Sequence, residues 1–191
     1  MPGHKRKMHM SWDADPYTVD ITEIEGFDDL HHAEGILKEA QERAARIYHA
    51  DETHFLVNGS TAGLLAAVCG TVKKGGRLLM ARNCHKAVYH AVYLMELQTE
   101  YLYPERTEFG IQGSIVPEQV QRMLELYPDT QAVLLTSPTY DGVVSDIAAI
   151  AEIVHAHQIP LIVDEAHGAH FGFSEGFPKK AIFYGADLCI E

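Results

Sequence analysis

Cysteine is scarce in this sequence, and its spacing matches no metal-binding motif. The 191 residues include three cysteines, Cys69, Cys84 and Cys189, and no CxxC pair. An odd number of widely spaced cysteines argues against a disulfide framework and against a zinc ribbon. Reduced thiols in the cytoplasm are therefore expected.

Long apolar runs are also lacking. No stretch approaches the roughly 18 to 20 apolar residues that cross a membrane, and the basic residues 1–7 are not followed by the apolar segment of a secretion signal. Neither secretion nor membrane insertion is therefore expected.

Positive charge is in deficit. Fifteen Lys and Arg oppose 27 Asp and Glu, so the formal net charge is −12 with the 12 His neutral. Nucleic-acid binders concentrate Lys and Arg on one face, and the one dense basic run here is residues 4–7. A nucleic-acid partner is not expected. The 47% hydrophobic and 22% charged residues are typical of a globular domain with a core.

Short apolar runs alternate with helical periodicities along most of the chain. Helices are predicted over 28–48, 61–72, 85–97, 117–127 and 146–157, the last behind a Ser145 cap, and strands over 53–57, 78–81, 100–103, 132–136 and 161–164, with another beginning within 185–191. Repeated β-α-β units with near-continuous apolar strands predict an α/β fold: three αβα layers around a mostly parallel sheet. Residues 1–191 are expected to form one incomplete domain, because the sequence stops inside the last strand.

Polar residues follow four of the predicted strands, where an open α/β sheet binds its ligands. They are residues 58–63 (NGSTAG), 83–86 (NCHK), 137–142 (SPTYDG) and 164–170 (DEAHGAH). Small residues and hydroxyls at a helix start suit a phosphate group, although Ser60 or Thr61 could equally be a plain helix cap. Asp164 ends a buried strand, so its carboxylate needs a cation or a strong donor. His85 and His170 could equally be structural, hydrogen-bonded histidines.

Two other chemistries use parts of this pattern. Residues 164–167 (DEAH) match a nucleotide-binding motif of one helicase class, but the sequence has no GxxxxGKS or GxxxxGKT loop, which excludes that chemistry. Asp164, His167 and His170, together with the His31–His32 pair, could ligate a metal, but their spacing matches neither HExxH nor a CxxC ribbon. No metal is predicted.

Taken together, the ordered motifs resemble the ornithine/lysine/arginine decarboxylases, which are fold type I pyridoxal-phosphate enzymes of the aspartate aminotransferase superfamily. The motifs are residues 2–5 (PGHK), 28–31 (DDLH), 55–63 (FLVNGSTAG), 82–86 (RNCHK), 136–140 (TSPTY) and 163–171 (VDEAHGAHF). The resemblance implies a PLP-dependent transferase-like large domain with pyridoxal 5'-phosphate as its cofactor. It also implies decarboxylation of a basic amino acid to a polyamine-type amine, by a cytoplasmic homodimer or larger assembly.

The resemblance also implies a role for each residue of the site. The phosphate of the cofactor would be bound by Ser60, Thr61 and Ala62. Lys86 would have a structural or phosphate-side role at most.

The cofactor ring would be held at the ends of three strands. Asp164 would pair with the pyridine nitrogen, His85 would stack on one face of the ring and Ala166 would contact the other. His167 and Ser137 would lie near the phenolic oxygen. Asp164, His85 and His167 are thus the predicted catalytic residues.

One family motif is not reached. Family members hold the cofactor covalently through a lysine in a Ser-x-His-Lys motif shortly after the last strand, and this sequence ends at Glu191 before it. The chain is therefore expected to be a fragment without the small C-terminal domain, inactive alone, with residues 53–57 exposed as an aggregation-prone edge. An aminotransferase, an aldolase-like lyase and a non-catalytic remnant that binds a full-length homologue remain alternatives.

Overall fold

The computed structural model describes residues 26–191, so the motif over residues 2–5 lies outside the described part. The helices are α1 Ile36–Tyr48, α2 Gly59–Thr71, α3 Lys86–Leu94, α4 Pro117–Leu126 and α5 Ile147–Ala156; the strands are β1 Arg77–Ala81, β2 Gln98–Leu102, β3 Thr130–Thr136, β4 Leu161–Asp164 and β5 Leu188–Ile190. Short 3₁₀ turns span Leu30–His32 and Ala181–Tyr184. Among these residues, every helix is too short or too polar to span a bilayer.

The five strands form one sheet in the order β2-β1-β3-β4-β5, and every pairing is parallel. Strand β4 is buried along its whole length, and β1 and β3 are buried at most positions. This is the pattern of central strands covered on both faces. The predicted α/β class is confirmed.

Two apolar clusters lie on opposite faces of the sheet. On one face, residues of β3 and β4 such as Val163 pack with α4 and α5. On the other face, their alternate residues, such as Ile162, pack with α2 and α3. Because successive side chains of a strand point to opposite faces, each central strand contributes residues to both clusters. The fold therefore has three αβα layers.

The cap of α5 differs from the prediction. Asp146, and not Ser145, is the N-cap residue, and its carboxylate accepts a hydrogen bond of 3.1 Å from the Ala149 N–H. The buried Ser145 hydroxyl instead accepts from the Ile115 N–H at 3.1 Å. Serine and aspartate can both cap a helix. The buried Ser145 hydroxyl is used by Ile115, so Asp146 caps α5.

The leading helix is shorter than predicted and begins at Ile36 instead of residue 28. The Asp28 carboxylate accepts hydrogen bonds from several backbone N–H groups ahead of and within the first turn of α1, including Leu37 at 2.8 Å and Gly35 at 2.9 Å. The bond from the Glu34 N–H at 3.0 Å, helped by those from Leu37 and Gly35, holds the pKa of Asp28 at about 2, below its usual 3.8. Asp28 therefore caps the helix from outside, where the periodicity alone predicted helix.

The prediction of a strand over residues 53–57 is wrong. This segment has no regular structure, and the Phe55 N–H donates to the Gln41 side chain at 2.9 Å instead of to a strand. Phe55, Leu56 and Val57 are exposed. A strand needs a neighbour for its backbone groups, and no described strand runs beside this segment.

Candidate functional site

The carboxyl ends of β3, β4 and β5 meet at one level of the sheet. Thr136 pairs with Asp164, and Asp164 pairs with Ile190. Paired residues of a parallel sheet point to the same face, so the Asp164 and Thr136 side chains lie on the face covered by α2 and α3.

Asp164 is the buried acid of this level, with 5% of its surface exposed. Its Oδ1 atom accepts a hydrogen bond of 3.3 Å from the Ala166 N–H. Burial raises the pKa of Asp164, and the Ala166 N–H and the nearby His85 and His167 imidazoles partly offset this effect. The three residues predicted to be catalytic are thus brought into one electrostatic neighbourhood.

His85 is the N-cap residue of α3 as well as a neighbour of Asp164. Its Nδ1 atom accepts from the Ala87 N–H at 3.2 Å, which puts the proton of a neutral ring on Nε2. The ring is exposed. His85 is therefore hydrogen-bonded, as its structural interpretation predicted, and this bond also orients the ring.

The turn after β4 carries Ala166 and His167 and packs against the loop after β3. The His167 ring contacts the Tyr140 ring edge to face, with 5.3 Å between centroids. A Cβ atom on Gly168 would lie 2.8 Å from Pro138 and 2.6 Å from Glu165, so this close packing requires a glycine. The turn after β4 therefore packs closely against the loop after β3, which fixes its position.

Ser137 is buried below this turn. Its N–H donates to the Asp164 carbonyl at 3.0 Å, and its hydroxyl oxygen accepts from the Ser145 N–H at 3.1 Å. The hydroxyl proton is still able to donate.

The start of α2 lies beside β5. The backbone of Asn58 and Gly59 is left-handed, at φ 66° and 65°, and no side chain caps the helix. Ser60 and Thr61 lie inside the first turn, so the interpretation of either as a plain cap is wrong. The Ser60 hydroxyl donates to the Glu191 backbone oxygen at 3.3 Å, and an uncapped first turn leaves N–H groups for an anion.

Two polar atoms near these strand ends are buried without a hydrogen-bond partner among residues 26–191. They are Asn83 Oδ1 and Thr136 Oγ1. Buried polar groups are normally paired, so these atoms suit a polar ligand. Cys84, next to Asn83, is buried, and burial together with the Asp164 carboxylate raises its pKa to about 12. Its thiol is therefore neutral.

The alternative metal set is not assembled. Within the part of the chain that the structure describes, Glu165, Cys189 and Glu191 are the three potential ligands that converge, and Asp164, His167 and His170 do not. A cavity of about 560 Å³ is lined by Arg82 and by residues 103–108 and 110–112, and none of the predicted site residues lines it.

Two lysines differ sharply in environment. Lys86 begins α3 and is exposed. Lys180 is 2% exposed and donates to Glu191 Oε1 at 2.7 Å. Sequence reasoning missed Lys180, because a lysine in a polar loop gives no signal of burial.

The fold is similar to that of PLP-dependent enzymes of known structure. The structure is similar to that of the "pyridoxal-5'-phosphate dependent protein YhfS" of Escherichia coli, with a TM-score of 0.63 over 80% of this chain and 38% of that one, at 14% identity. At this identity the likeness shows the fold alone.

The chain belongs to the Orn/Lys/Arg decarboxylase family. A family model described as "Orn/Lys/Arg decarboxylase, major domain" matches residues 6–189. The sequence is 43% identical to "Uncharacterized protein YaaO" of Bacillus subtilis, covering 100% of this chain and 41% of that protein. It is 34% identical to an "Arginine decarboxylase" of the same organism, covering 98% of this chain and 40% of the relative. The chain thus spans about two fifths of these relatives.

The residues present fit pyridoxal phosphate. The buried Asp164 carboxylate suits the ring nitrogen of that molecule, and the nearby His85 imidazole, which caps α3, suits a ring face. The uncapped start of α2 suits the phosphate. The unpartnered Asn83 and Thr136 atoms add polar groups without a protein partner.

Proposed function

We propose that this chain supplies the ring-binding and phosphate-binding part of a PLP-dependent decarboxylase of basic amino acids. The observation that carries the proposal is the buried Asp164 carboxylate at the end of β4, with His85 and His167 close enough to offset part of the rise in its pKa that burial causes. Family membership supports the reaction class. As a domain, residues 1–191 would form part of a cofactor-binding large domain.

The first turn of α2 would bind the phosphate. Backbone N–H groups of Ser60, Thr61 and Ala62 would donate to its oxygens, helped by the positive end of the helix dipole. The left-handed Asn58 and Gly59 bring the chain into this turn without a capping side chain that would compete.

Five side chains would hold the ring. Asp164 would keep the pyridine nitrogen protonated, and this cation would in turn stabilise the buried carboxylate. His85 would stack on one face and Ala166 would contact the other, while His167 and Ser137 would donate to the phenolic oxygen. When bound, pyridoxal phosphate supplies a conjugated ring that accepts the electron pair left on the substrate as carbon dioxide departs.

Arginine is the first substrate to test, because the 34% identical relative is named an arginine decarboxylase; lysine and ornithine follow from the family description. The product would be a polyamine-type amine. We expect a homodimer or larger assembly in the cytoplasm, as the resemblance implies.

Cofactor binding is the direct test. Titration of the chain with pyridoxal phosphate, followed by cofactor absorbance and calorimetry, should give saturable binding that borohydride does not convert to one specific labelled lysine. D164N should weaken binding, whereas D141N, in the exposed turn nearby, should not. No saturable binding by the wild-type chain would remove the proposal.

The reaction itself is best tested in a chain of the relatives' full length. In the Bacillus subtilis arginine decarboxylase, this chain should replace the segment to which it is similar. Carbon dioxide release by this chimera is then measured with arginine, lysine and ornithine. We expect release from at least one, lowered more than about a hundredfold by D164A. Transfer of the amino group without carbon dioxide release would favour an aminotransferase instead.

A further inference from the structure

Lys180 lies in a closed environment near the carboxyl end of β5. Its ammonium donates to Glu191 Oε1 at 2.7 Å and to the Ala169 carbonyl at 3.1 Å. It also lies 4.1 Å from the centre of the Tyr48 ring and 5.2 Å from that of Phe173. Two hydrogen bonds and two aromatic faces satisfy a cation that is 2% exposed.

These contacts join three separate segments. Tyr48 is the last residue of α1, Ala169 and Phe173 belong to the segment after β4, and Glu191 follows β5. The pKa of Tyr48 is raised by burial and by the Glu191 carboxylate, so the tyrosine also borders this ion pair. Lys180 contacts all three segments.

The neighbouring Glu165 anchors the same segment. Glu165 Oε1 accepts from the Ala181 N–H at 3.0 Å, and Glu165 Oε2 accepts from the Cys189 thiol at 3.2 Å. The Glu165 N–H donates to the Ile190 carbonyl at 2.8 Å. The beginning of the turn is therefore tied to β5, and Lys180 ties its far end at Ala169.

We propose that Lys180 is a positioning residue, which sets the height of the turn carrying Ala166 and His167 over the cofactor ring. The proposal rests on the proposed function. Lys180 would act through the Ala169 carbonyl, three residues beyond Ala166, and not by contact with the cofactor. Its ion pair with Glu191 balances the charge, and its bond to Ala169 fixes the turn.

Three variants separate positioning from charge balance. K180M removes the ammonium, which is both the cation and the hydrogen-bond donor, and leaves the Glu191 carboxylate unpaired. K180M/E191Q removes the same ammonium and also the charge of Glu191, so no carboxylate is left unpaired. K179M is the matched control, because the ammonium of Lys179 lies 5.6 Å from the Phe183 ring centre and has no place in the Lys180 network. Each variant is measured for thermal unfolding, pyridoxal-phosphate dissociation constant and circular dichroism of the bound cofactor at saturation.

We expect K180M to weaken cofactor binding about tenfold and to change the circular dichroism of the bound ring, with K179M like the wild type. K180M/E191Q should recover most of the lost stability, because no unpaired charge is left, and should keep the weak binding and altered spectrum.

The proposal would be overturned if K180M bound pyridoxal phosphate with wild-type affinity and gave the wild-type circular dichroism. It would also be overturned if K180M/E191Q regained wild-type affinity and circular dichroism together with its stability. The double variant decides the matter if K180M does not fold. Failure of the wild-type chain to bind the cofactor would instead refute the proposed function, and this inference with it.

Discussion

Asp164 and Glu165 are consecutive buried residues whose side chains lie on opposite faces of the sheet. Asp164 lies near His85 and His167 on the α2 and α3 side, whereas Glu165 bonds the Cys189 thiol and the Ala181 N–H on the other side. The alternation of side chains along an extended segment causes this separation. One strand end therefore provides the proposed chemistry on one face and the anchor of the turn on the other.

Glu165 should make stability depend on pH near neutrality. Burial raises its pKa from 4.5 to about 7, and Glu191 acts in the same direction, against the Cys189, Ala181 and Lys180 contacts. The folded state binds the proton of the Glu165 carboxyl group more tightly than the unfolded state does. The stabilisation that this proton gives the fold is therefore complete below about pH 4.5 and is lost as pH rises through about 7. Urea unfolding of E165Q should lack this dependence.

The size of the effect is measurable. The free energy of unfolding of the wild type, relative to E165Q, should fall by on the order of 3 kcal/mol from pH 4.5 to above 7. E152Q, on the exposed face of α5, is the control and should run parallel to the wild type. Parallel curves for wild type and E165Q would contradict the assignment.

Asp28 should be the main cap of α1. D28N removes a charged acceptor from N–H groups that include Glu34 at 3.0 Å and Leu37 at 2.8 Å, so thermal unfolding should occur several degrees lower. D29N is the control, since Asp29 Oδ1 accepts only from the His31 N–H in the described structure.

The pH dependence of this cap has the opposite sign from that of Glu165. The pKa of Asp28 is lowered to about 2, so its stabilisation is present above pH 3.8 and is lost as pH falls through about 2. The difference between wild type and D28N should be constant from pH 7 to 4 and shrink below that. A difference that shrinks already at pH 6 would point to another group.

The three thiols should react unequally. Cys69 is exposed, whereas Cys84 is buried with a pKa near 12 and the pKa of Cys189 is raised by burial and by Glu165. Iodoacetamide at pH 8 should therefore alkylate Cys69 in the folded chain and all three in urea, as read by mass spectrometry. Equal labelling of Cys84 in the folded chain would contradict its burial beside Asp164.

Residues 55–57 should promote self-association. Val57 is 57% exposed beside Leu56, which is 50% exposed, so V57K should lower light scattering at a given concentration. L94K is the matched control, because Leu94 is 61% exposed at the end of α3. If both substitutions lower scattering equally, general charge and not this segment is responsible.

Local signals predicted the central elements well. The strand over 161–164 has the predicted bounds, and α4 starts at Pro117 as expected, because an apolar run and a proline at a helix start act within a few residues. The apolar segment 53–57 gave the same local signal and is not a strand, because strand formation requires a neighbour. Asp146 displaced Ser145 as the cap for a similar reason: burial of Ser145 is not a local property.

By itself, the sequence determined the α/β class, the alternation of central strands and helices, and the polar strand ends that include Asp164, because these depend on hydrophobic period and on motifs contiguous in the chain. Only the tertiary structure decided that His85 and His167 converge on Asp164, that Thr136 points to the same face, and that Lys180 is buried. Those relationships depend on strand order and register, which bring residues far apart in the chain to one level of the sheet.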